Sequence, residues 1–76
     1  MTPFIAKLIE RGCVTTHANC PLDDLIVILA KRRIGTVVVV DRDQHVIGIV
    51  SERDIIRHLS TGGTTATTFA KNIMTN

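Results

Sequence analysis

Apolar residues along this chain change their spacing several times, and each change marks an element. At Phe4, Ile5, Leu8 and Ile9 they recur on one helical face, and Gly12 follows as a C-terminal glycine would. Cys13-Val14-Thr15-Thr16 predicts a brief strand, and His17 to Cys20 a polar link. A second helix is expected to start at Pro21, whose missing N–H suits a first helical position. Asp23 and Asp24 then stand in its first turn and Lys31, Arg32 and Arg33 at its end, where the helix dipole favours each sign. Leu22, Leu25, Ile26 and Leu29 supply its buried face, and Gly35 follows shortly after.

Val37-Val38-Val39-Val40 is four β-branched residues in a row, which favours an extended backbone. Asp41 to His45 turns the chain, and Val46-Ile47-Gly48-Ile49-Val50 returns as the second arm of an antiparallel hairpin. Ser51 is a natural N-cap for a helix over Glu52 to Leu59, with Asp54 placed to reach back as the acidic member of a capping box. Ser60 to Thr68 is rich in Gly and Thr and reads as a linker, after which Ala70 to Thr75 opens a new segment.

Helix, strand, helix, strand, strand, helix makes an α/β fold. The strand-helix-strand unit is expected to be parallel and right-handed, so a small mixed three-stranded sheet with helices on one face results. A sheet wetted on one side alternates apolar and polar residues, and neither Val37–Val40 nor Val46–Val50 does. The second sheet face is therefore expected to pack on a partner.

Composition narrows the function classes. With 76 residues there is room for one small domain, and at this size burial alone leaves a chain marginally stable. Only Phe4 and Phe69 are aromatic, so the core is aliphatic and base stacking on nucleic acid has no platform. The net charge of +2 is mild, and Lys31-Arg32-Arg33 is explained as a helix-end cluster. Cys13 and Cys20 are too few for a disulfide framework and read as reduced thiols. No run reaches membrane-span length, and Met1 to Phe4 lacks the start of a signal peptide. A cytoplasmic domain with no nucleic-acid or membrane partner is the expectation.

The segment Gly48 to Asp54 carries the most chemistry. A strand-to-helix turn offers free amides and a positive dipole end to phosphate. Ser51 adds a hydroxyl and Arg53 a guanidinium, while an ionised Asp54 is an acceptor suited to two ribose hydroxyls. Gly48 lets a ligand or a second chain approach the backbone. The same residues also make a well-capped helix, and spacing alone leaves both readings open. Cys13, His17 and Cys20 lack a fourth ligand and a zinc spacing, so no metal site is expected. His45 and His58 read as solvated surface residues. No nucleophile stands beside a base and an orienting acid, so no catalytic residues are assigned and the chain is not expected to be an enzyme.

Taken in order, Pro21-Leu22-Asp23-Asp24-Leu25, Arg33-Ile34-Gly35-Thr36 with the valine strand to Asp41, and Val46-Ile47-Gly48-Ile49-Val50-Ser51-Glu52-Arg53-Asp54-Ile55-Ile56 resemble the CBS (cystathionine beta-synthase) domain. Such domains are regulatory, occur in tandem pairs and bind adenosyl ligands such as AMP, ADP, ATP, S-adenosylmethionine or NAD. The resemblance implies Asp54 at ribose and Ser51 with Arg53 at phosphate, with Gly48, Ile49 and Val50 as the motif's glycine and strand. It implies an adenine pocket of Val14, Thr15, Thr16, Ile34, Gly35, Thr36 and Val37. Gln44 stands where the family's hairpin usually carries Gly or Asn, and Cys20 where a Thr or Ser precedes the helix.

The organisation expected on this basis is a helical lead-in over 1–13, a CBS repeat over 14–60, and a linker with the start of a truncated second repeat over 61–76. Ala70 to Thr75 resembles the lead-in to that repeat, and Ala6 to Ile9 is a weaker echo of it. The expected function is allosteric sensing, with an adenosyl ligand held between paired CBS units in a homodimer or against a second repeat. The rival is a dimerisation module that binds no ligand. No resident cofactor is expected beyond the regulatory nucleotide.

Overall fold

The structure is a computed structural model that describes residues 13–76; the helix expected over Phe4 to Arg11 and its echo at Ala6 to Ile9 lie outside the described residues. The elements are β1 (Thr15–His17), α1 (Leu22–Arg32), β2 (Thr36–Val40), β3 (Val46–Ser51), α2 (Glu52–Ser60) and α3 (Ala70–Ile73). The sheet order is β1-β2-β3, with β1 parallel to β2 and β3 antiparallel to it. This is the expected mixed three-stranded sheet.

β1 sits later than the composition suggested. Val14 contributes its carbonyl to Val38 N–H at 3.0 Å, and the strand then runs through His17 opposite Val40. Strand pairing uses the backbone, so the exposed, polar His17 side chain does not end it. Pro21 is likewise the N-cap and not the first helical residue, with ψ at 146°. Its carbonyl nevertheless opens the helix by accepting from Asp24 and Leu25 N–H at 3.0 and 3.1 Å.

α1 ends on Arg33, not on a glycine. Arg33 holds the left-handed conformation at φ 54°, and its N–H and that of Ile34 both return to the Leu29 carbonyl. Gln44 closes the hairpin the same way, at φ 67°. The hairpin carries a bulge: Val39 faces Gly48 and Val40 faces Val46, which leaves Ile47 as the extra residue.

The core lies between the sheet and the helices. Leu22, Leu25 and Leu29 of α1, Ile55 of α2 and Ala70 of α3 pack on Val37, Val39 and Val50. Val38 and Val40 point to the opposite face and form a separate buried pair. On that face Ile49, the partner of Val38, is 42% exposed. The second face is thus apolar, as the missing alternation required.

The segment after α2 is stitched down at both ends. His58 is half-buried and not simply solvated: its Nε2 lies 2.9 Å from the Thr64 carbonyl and 3.2 Å from Thr68 Oγ1. Its ring fills the space that a side chain on Gly63 would need. Further along, Leu22 N–H donates to Thr68 O at 2.8 Å and Ala70 N–H to Cys20 O at 2.9 Å. An amide at the start of α1 is therefore satisfied by the linker. Among the described residues no helix is long and apolar enough to cross a membrane.

Candidate functional site

β3 runs without a loop into α2, so the last strand residue is also the helix cap. Ser51 is extended, at φ −108° and ψ 164°. Its Oγ accepts from Asp54 N–H at 3.2 Å and donates to Asp54 Oδ2 at 2.9 Å. Ser51 N–H donates to the same Oδ2 at 2.8 Å. The capping box expected from the sequence is complete.

The other carboxylate oxygen is engaged far more loosely. Asp54 Oδ1 has Thr75 Oγ1 at 3.4 Å and an Arg57 guanidinium nitrogen at 3.5 Å. Both are longer than a well-formed hydrogen bond. Asp54 is 7% exposed, yet it lines a cavity of about 390 Å³ with Val46, Ile47, Gly48, Ile49, Ser51, Thr75 and Asn76. One oxygen caps the helix and the other is only loosely held, so the cap does not occupy the whole carboxylate.

Two amides of the first turn are engaged within the fold. Glu52 N–H donates to Gly35 O at 2.9 Å, and Asp54 N–H is taken by Ser51 Oγ. Between them stands Arg53, whose side chain is exposed. Ser51 Oγ gives its proton to Asp54, so to serve a phosphate it must first release that bond.

The sequence-derived adenine residues gather elsewhere. Gly35 and Thr36 lie directly beside the cap, because Thr36 pairs with Ser51 and Gly35 O holds Glu52 N–H. Thr15 and Thr16 are half-buried on β1, Val14 precedes them against Val38, and Ile34 sits in the α1–β2 connection. Val37 is fully buried, so its side chain presents nothing to a ligand. None of these seven lines the Asp54 cavity; they belong to the sheet end on the near side of Ser51. Gly48, Ile49 and Ser51 do line the cavity, whereas Val50 turns into the core.

Two residues of the site escaped sequence reasoning. Arg57 lies three residues after Asp54 on the same helix, a spacing that could have found it. Thr75 arrives through long-range pairing with Ile49, for which the sequence holds no local signal.

Cys13, His17 and Cys20 do not gather; the described residues whose donor atoms could meet on one ion are Asp41, Asp43 and His45 in the hairpin turn. Their arrangement has a structural cause. Asp41 Oδ1 accepts from Asp43 and His45 N–H, both at 2.9 Å, and Oδ2 lies 3.3 Å from His45 Nδ1. The His45 N–H bond, foremost, holds the Asp41 carboxyl below its ordinary pKa, against a smaller opposing effect of desolvation.

A family model described as CBS domain matches residues 5–61. An uncharacterised protein of Methanocaldococcus jannaschii is 27% identical over 56 residues, which span 74% of this chain and 19% of that protein. A CBS-domain protein of Pyrobaculum aerophilum, solved in complex with AMP, is 27% identical with a TM-score of 0.75, covering 84% of this chain and 50% of that one. A CBS domain pair solved with 5′-methylthioadenosine and S-adenosyl-L-methionine is 26% identical with a TM-score of 0.72, over 84% and 50%. This chain therefore spans about half of each of those two solved chains.

Proposed function

The chain belongs to the CBS-domain family, and from that premise we propose that it is a regulatory module, not an enzyme, whose Ser51–Asp54 turn binds an adenosyl ligand. The observation that carries the reading is the division of Asp54: Oδ2 is committed to Ser51, while among the described residues Oδ1 makes only long contacts, at a residue that lines the cavity. Ribose hydroxyls donate to Oδ1. Phosphate meets the Arg53 N–H and guanidinium at the start of α2, where the dipole favours negative charge. The base lies toward the sheet end, on Val14, Thr15, Thr16, Ile34, Gly35 and Thr36. Support comes also from two structural relatives, one solved with AMP and one with S-adenosylmethionine.

Regulation follows from pairing. This chain matches half of a CBS pair, and its second sheet face leaves Ile49 and Val46 at the surface. A second CBS unit, from a partner copy or a following repeat, covers that face. A ligand between the two units favours one arrangement of them to the extent that it binds that arrangement more tightly. A cytoplasmic setting, with AMP, ATP or S-adenosylmethionine at hand, suits this role.

The exposed Ile56 and Leu59, with Ile49, favour a second reading: an assembly module that holds copies together and binds nothing. Calorimetric titration with AMP, ATP and S-adenosylmethionine, on a sample whose oligomeric state is set by sedimentation, separates the two. Saturable binding of one of them supports the sensor. An associated sample that binds none supports the assembly module.

A further inference from the structure

Thr75 reaches Asp54 across the fold and not along a helix. Its N–H donates to Ile49 O at 2.8 Å, and Ile49 N–H donates to Thr75 O at 2.9 Å. That antiparallel bridge fixes Thr75 on the outer edge of β3. Two neighbours hold it there. Ala70 of α3 is fully buried, and Met74 lies so close over Gly48 that a Cβ at 48 would stand 2.7 Å from its Sδ. The Thr75 hydroxyl is thereby carried to 3.4 Å from Asp54 Oδ1, on the wall of the same cavity.

We propose that Thr75 is a specificity-determining residue of this site, one that reads the second hydroxyl of a ribose cis-diol. The proposal rests on the adenosyl reading above. Asp54 Oδ2 is filled by two bonds of 2.8 and 2.9 Å from Ser51, so only Oδ1 is open to a new donor. A ribose brings two adjacent hydroxyls, and the second needs a partner of its own. Thr75 Oγ1 is the nearest hydroxyl to Oδ1 that lines the cavity and has no other hydrogen-bond partner among the described residues. A hydroxyl both donates and accepts, so it pairs with the second ribose hydroxyl whichever way that proton points. The carboxylate takes one member of the diol and the threonine the other. A ligand with a deoxyribose leaves one of them unmatched.

The test is the affinity of AMP, 2′-deoxy-AMP and 3′-deoxy-AMP for the wild type, Thr75→Val and Thr75→Ser. Valine keeps the backbone bridge to Ile49, and slow exchange of the Ile49 amide confirms that the segment is seated. The wild type is expected to prefer AMP over at least one deoxy form by about three- to tenfold, the net worth of one hydrogen bond. Thr75→Val flattens that preference, and Thr75→Ser restores it. Wild-type ratios in a seated Thr75→Val protein overturn the proposal while leaving the adenosyl site standing. Failure of the wild type to bind any of the three overturns both.

Discussion

Asp54 gives Ser51 one carboxylate oxygen and leaves the other to long contacts with Thr75 and Arg57. Oδ2 takes the Ser51 N–H and Oγ–H at 2.8 and 2.9 Å, whereas among the described residues Oδ1 has no partner closer than 3.4 Å. One acidic residue thus starts a helix while its second oxygen stays loosely engaged. The cap fixes the carboxylate's orientation.

The cap itself has a measurable worth. Ser51→Ala removes the acceptor for Asp54 N–H and one donor to Oδ2, and is expected to destabilise the fold by about 0.5–2 kcal/mol. Ser51→Thr retains both bonds and stays near wild type. Denaturant unfolding of the two variants checks the difference.

Gly48 is required by Met74. With Met74 Sδ and Cγ 2.7 and 2.9 Å from a Cβ at position 48, Gly48→Ala is expected to cost about 1–3 kcal/mol through overpacking. Because the obstacle is a flexible side chain, Met74→Ala in the same chain relieves part of it. A double-mutant cycle reads the coupling directly.

Two turns carry avoidable strain. Arg33 at φ 54° and Gln44 at φ 67° both occupy the left-handed region, which disfavours residues with a Cβ. Arg33→Gly and Gln44→Gly are each expected to stabilise the protein by about 0.5–1 kcal/mol, the relief of strain exceeding the added freedom of the unfolded chain. Thermal unfolding midpoints check the sign.

The hairpin turn gives a pH dependence of known direction. The Asp41 pKa is lowered in the fold, chiefly by the His45 N–H bond. A depressed carboxylate contributes its full stabilisation above the unfolded value of about 3.9 and loses it as pH falls through the folded value. The turn is therefore expected to hold at neutral pH and loosen only below pH 4. A carboxyl-carbon NMR titration should find the Asp41 midpoint below the ordinary aspartate value. In Asp41→Asn the acid-side loss of stability shrinks.

The parts of the fold legible in the sequence were those set by local physics. The unbroken valines of β2 marked a strand buried on both faces, and Ser51 with Asp54 marked a capped helix. Boundaries slipped where the backbone overruled the side chain: His17 is polar yet pairs with Val40, and Arg33 takes a conformation that a glycine was expected near. The site was half legible. Ser51 and Asp54 sit three apart in the sequence and show their relation there. Thr75 is twenty-one residues from Asp54, and only the bridge to Ile49 brings it in. A segment that resembled the opening of another repeat forms one wall of this cavity.

The central claim is that Asp54 Oδ1 receives a ribose, and Asp54→Asn tests it most directly. Asparagine keeps an oxygen for the cap and turns an NH₂ toward the cavity, so it preserves the helix while replacing an acceptor with a donor. With folding verified by circular dichroism, AMP titration of this variant is expected to show affinity roughly ten- to hundredfold weaker than the wild type, the worth of a charge-assisted hydrogen bond. Equal AMP affinity in the two folded proteins would contradict the account.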